Sequence, residues 1–215
     1  NSESYRDGRN GREVPEAIAV GGYILDLHAG DEDADLEAEF GETSASIKTD
    51  MPRGPFQVPF GSLVSRNVDG LLAAEKNISM SRLVAGAFRL QPISMLTGQA
   101  AGTIGALSAL TGIPPRALDP RKVQRTLLEA GSALSLCEYN DVPRDHPFWP
   151  GVQMSNLYGW IPPEELPSAP SAKIDDIYNN RVVIARLYGL DKGTFGVDTP
   201  LTGIEAEELF RKAFS

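Results

Sequence analysis

From Pro92 to about Thr111 the apolar positions Ile93, Leu96, Ala100, Ile104 and Leu107 recur at the 3.6-residue period of a helix and form one stripe. A second face is unusually small. Gly98, Gly102, Gly105 and Ala109 recur at spacings of four, three and four, so another backbone or a flat ligand can approach the helix axis closely. Each of those glycines costs about 0.5–1 kcal/mol of helix stability relative to Ala. Tight packing on a sheet offsets that cost, and so does a cofactor at the N-terminal end. No charged residue falls between Arg89 and Arg116, a length that can span a bilayer. Its Gly, Ser and Thr content, the central Gln99 and the bracketing Pro92, Pro114 and Pro115 point instead to a buried helix with no membrane span.

Other segments are patterned differently. Residues 14–28 (VPEAIAVGGYILDLH) predict a short helical turn after Pro15, a break at Gly21-Gly22 and an alternating strand over Tyr23–His28. Residues 55–65 (PFQVPFGSLVS) predict an extended segment between prolines, and Val68–Ala74 a short buried strand after the Asp69-Gly70 turn. The stretch EKNISMSRLVAGAFR reads as a polar loop ahead of the glycine-rich helix. Asp119 as N-cap, Pro120 at N1, a Leu118–Val123 staple and Gly131 as the stop mark a further helix. DVPRDHPFWP reads as a proline-rich linker into a short helix ending near Gly159, and residues 161–173 as a Pro-rich loop. Thr202 and Glu205 form a capping box for a last helix.

Composition narrows the chemistry. The 215 residues are 41% hydrophobic and 23% charged, which fits one globular core with a small appendage. Twenty Lys+Arg against 29 Asp+Glu leave a formal charge of -9, which argues against nucleic acid as a partner. Cys137 is a lone cysteine, and with His28 and His146 it makes no zinc spacing, so no metal site is expected. Residues 1–12 are polar and show no signal peptide. Seven carboxylates crowd Asp31 to Glu42; Asp31, Asp33, Asp35 and Glu42 mimic a calcium loop, but Leu36 stands where its sharp turn needs glycine. A solvated loop is the simpler reading.

The order strand (LLAA), polar loop, then helix opening at LQPISM places a helix N-terminus, with unpaired amides and a partial positive charge, after a turn that suits an anionic group. The stretch VPFGSLVSRNVDGLLAAEKNISMSRLVAGAFRLQPISMLTGQAAGTIGALSALTGIPPRALD resembles the C-terminal signature of the bacterial FAD-dependent oxidoreductase family with a glutathione-reductase-like FAD domain. The upstream VPEAIAVGGYILDLH is similar to that family's substrate-domain strand, so the resemblance covers roughly residues 13–131. It implies FAD as cofactor and an unknown small-molecule substrate. It implies that Leu71–Ala74 is the last strand of the FAD domain. Glu75, Lys76, Asn77, Ile78 and Ser79 then lie along the ribityl and pyrophosphate part of FAD, and Arg89, Leu90, Gln91, Pro92, Ile93 and Ser94 meet the isoalloxazine ring. Surface ion pairing for Lys76 and Arg89, and loop capping for Asn77 and Ser79, are the alternatives. Relatives often carry Gly-Arg where this chain has Glu75-Lys76, and a His near the flavin where this chain has Arg82. An Arg does not act as acid or base near neutral pH, so no catalytic residue is assigned.

No GxGxxG follows a strand in the sequence, so the βαβ unit that binds the ADP half of FAD is expected from polypeptide outside these 215 residues, a missing N-terminal half or a partner chain. The tail, DVPRDHPFWPGVQMSNLYGW with YGLDKGTFGVDTPLTGIEAEELFRKAF, is similar to an S-layer-homology module, but Thr202-Gly203-Ile204-Glu205 lacks that family's basic residue. The fold class expected is an α+β fragment: part of a glutathione-reductase-like α/β FAD domain and substrate domain, followed by a small helical module. Its boundaries are 1–65 for partial substrate domain and connecting strands, 66–131 for the C-terminal part of the FAD-binding domain, and 132–215 for the S-layer-homology-like module. The expected function is hydride transfer to or from FAD, with the fragment inactive alone. A cell-envelope scaffold that binds cell-wall polysaccharide without redox activity is the rival. The compartment, cytoplasm or cell envelope, stays open.

Overall fold

The computed structural model describes residues 13–23, 55–139, 142–159 and the pair 190–191. The acidic run 31–42, the loop 161–173 and the Thr202 capping box lie outside them.

Strand β1 (Ala17–Gly21, AIAVG) is buried along its whole length, which explains a continuous apolar run in place of alternation. It pairs antiparallel with β2 (Phe56–Pro59), Gly21 opposite Phe56 and Ala19 opposite Val58, with a register shift between Ala17 and Ala19. Gly21 leaves room for its neighbours: a Cβ would fall 2.5 Å from Phe56 Cζ and 2.9 Å from Ile93 Cδ1, and these buried side chains would have to shift. A turn stands at Pro15–Glu16 as expected, but it leads directly into a strand that was not expected and that ends at Gly21. Of the strand expected over Tyr23–His28, Tyr23 is not in a strand and residues 24–28 lie outside the described residues.

The expected buried strand over Val68–Ala74 is also corrected. Val68 and Leu71 are exposed, and the segment makes a single antiparallel bridge, Leu72 with Val64, where it folds back on residues 63–65. Too little chain lies alongside for a ladder. Within the expected loop 75–89 there is a 3-10 turn, Glu75–Asn77, and a helix α1 (Arg82–Phe88). Ser81 starts α1 by accepting from the Val84 amide.

Helix α2 (Gln91–Thr111) ends at Gly112, whose φ of +69° suits a residue without a Cβ. Ile93, Ala100 and Ile104 of the anticipated stripe are buried, with Leu96 and Leu107 half-buried against the same cluster. By length and composition alone α2 could cross a membrane; in this fold it packs against β1, the 75–77 turn and helix α3. Helix α3 (Pro120–Glu129) follows its signposts. Asp119 Oδ1 accepts from the Arg121 amide at 2.9 Å, Leu118 and Val123 are both buried, and Gly131 has φ +81°. Past it, strand β3 (Cys137–Glu138) pairs in parallel with β4 (Leu190–Asp191), and α4 (Trp149–Tyr158) ends at Gly159 as expected.

Residues 134–158 share the core of the preceding chain. Leu134, Val142, Trp149, Val152 and Leu157 lie in one cluster with β1, β2, α2 and α3. Three buried amides bind these layers. Gln57 accepts from the Val14 amide and donates to the Leu134 carbonyl and the Glu13 carboxylate. Gln124 donates to the Pro15 and Ala17 carbonyls and accepts from the Tyr158 hydroxyl. Gln153 accepts from the amides of Leu134 and Ser135. Backbone groups at strand ends and loop starts are thereby paired without water.

Candidate functional site

The residues anticipated to meet FAD form two stretches, 75–79 and 89–94, and the fold ties them together: α2 packs on the 75–77 turn, and Ile78 and Ile93 are buried in one cluster. In the first stretch Glu75, Lys76, Asn77 and Ser79 are exposed. Glu75 has φ +59°, a left-handed backbone that burdens a residue with a Cβ and that glycine adopts freely. The resemblance implies a glycine at this position in many relatives. Asn77 spends its side-chain oxygen on the Ala74 amide at 3.0 Å, so it acts as the cap of its own turn. The Ser79 amide donates to the Ser62 carbonyl at 2.8 Å, which fixes the segment against β2's extension. Ile78 contributes its side chain to the core.

In the second stretch, Arg89 caps α1 through its amide and holds its side chain exposed. Gln91 and Pro92 are exposed, Leu90 is half-buried, and Ile93 is buried against Gly21 and Phe56. No side chain caps the start of α2. The first bonded amide is that of Ser94, which donates to the Leu90 carbonyl at 3.1 Å. Pro92 has no N–H, so the Gln91 and Ile93 amides head the helix without an intrahelical acceptor. Twenty-one aligned peptide units place a partial positive charge at that open end. Ser94, 6% exposed, is the one described residue whose buried side-chain oxygen has no hydrogen-bond partner.

The glycine face of α2 behaves unlike the expectation of tight packing. A Cβ at Gly98 or Gly102 would meet nothing within 4 Å, and one at Gly105 would touch only Leu72 Cδ1 at 3.7 Å. Met95 and Leu110 on the outer side are 73% and 83% exposed. Among the described residues this face is open.

A shallow cleft of about 10 Å³, room for about one water, lies between β2 and α1, lined by Phe56, Val58, Ser62, Met80, Val84 and Phe88 together with Ile78 and Ser79. Only the last two were anticipated from sequence. For Val84 and Phe88 the signal was present: Ser81 three residues before Val84 starts a helix whose apolar Val84 and Phe88 fall on one face. Among the described residues no group of three His, Cys, Asp or Glu could hold a metal ion.

The chain belongs to the FAD dependent oxidoreductase family, whose model matches residues 4–127. FAD is therefore its cofactor and redox chemistry its class of function. No curated protein and no solved structure matches the chain. The residues present fit the cofactor in kind. An uncapped helix start suits the negatively charged edge of a reduced flavin.

Proposed function

We propose that this chain supplies the flavin-facing strand, loop and helix of a glutathione-reductase-like FAD enzyme, and that the start of α2 holds the pyrimidine edge of the ring. The observation that carries this is the open first turn of α2, with Gln91 and Pro92 exposed and no side-chain cap. Bound FAD supplies hydride chemistry toward an unidentified small molecule. The Gln91 and Ile93 amides and the helix field favour negative charge at the ring and so raise its potential. Arg89 adds a cation at the same end, while Lys76, the Ser79 hydroxyl and the backbone around Glu75 are placed for the polar part of the cofactor. Asn77 orders the turn that presents them.

The ADP half needs a glycine-rich βαβ unit, and none is encoded in these 215 residues. On this reading a further stretch of polypeptide completes the site. Residues 132–215 act as a structural appendage of the S-layer-homology type; burial of Leu134, Trp149 and Leu157 in the common core supports a packing role over wall binding. The test is the absorbance spectrum of the full-length or co-purified protein. A flavin spectrum that survives gel filtration is the expected result, and a colourless, correctly folded protein that does not take up added FAD would sink the proposal.

A further inference from the structure

We draw no further inference here: the strongest candidate, the uncharged outer face of α2 along which Met95, Gly102 and Leu110 are exposed, is an unpartnered apolar surface among the described residues, and nothing in the structure shows what covers it.

Discussion

Helices α2 and α3 stand side by side and obey different rules. Helix α3 is short, amphipathic and complete: Asp119 caps it, Gly131 stops it, Val123, Gln124, Leu127 and Leu128 are buried, and its exposed face is polar or charged. Helix α2 is twice as long and carries no charge. It leaves its first turn uncapped, a glycine face open and a buried hydroxyl unpaired. A helix that satisfies itself is part of the scaffold. One that leaves its start uncapped and a face open has room for an outside group, which is why the proposal above rests on α2 and not α3.

The largest effects test what the two helices share. Ile104→Ala in α2 and Leu127→Ala in α3 each empty a fully buried position and should cost about 2–5 kcal/mol in denaturant unfolding. A much smaller loss for Ile104 would mean that the inner face of α2 is not core. Gln124→Leu leaves two carbonyls and the Tyr158 hydroxyl without their partner and should cost roughly 1–3 kcal/mol. Loss of the near-ultraviolet signal of Tyr158 at lower urea than the rest would locate the damage at the α3–α4 contact.

The contrast sharpens at the caps. Asp119→Ala should cost about 1 kcal/mol. Partial burial raises the Asp119 carboxyl, but hydrogen bonds from the Arg121 side chain and amide, with the charges of Arg121 and Lys122, outweigh it and hold the pKa below the ordinary 3.8. A depressed carboxylate stabilises above its unfolded pKa, so this contribution is intact near neutrality and lost as pH falls below about 4. The acid limb of a stability–pH curve should flatten in Asp119→Ala. Gly98→Ala and Gly102→Ala should each stabilise the isolated chain by about 0.5–1 kcal/mol, since the new methyl meets open space. If instead they weaken the full-length flavoprotein, that face is covered there.

The smallest effect lies at high pH. Burial pushes the Tyr158 hydroxyl up to about 12. The native state then resists deprotonation, so its contribution is complete below pH 10 and declines as pH rises from about 10 to about 12. Tyr158→Phe should remove that alkaline limb, as followed by fluorescence unfolding at stepped pH.

Legibility followed the range of the interactions. The caps of α3, the extent of α2 and the Gly159 stop of α4 were readable because each depends on residues within a turn or two. Helix α1 was missed, although Ser81 announces it, because the polar context masked a short helix. The strand over Ala17–Gly21 was missed for the opposite reason: AIAVG lacks alternation because both its faces are covered, and coverage is a long-range fact. Val68–Ala74 has strand-forming residues but too little neighbouring backbone for a ladder.

Residue order alone thus settled where α2 and α3 run, where α4 ends, and that α2 is uncharged and glycine-faced, since helical periodicity and capping act within a few residues. Tertiary structure decided which groups were left over. That Gly21 faces Phe56 and Ile93, and that Ser94 is sealed without a partner, depend on chain segments distant in sequence, and only the packed fold sets those distances.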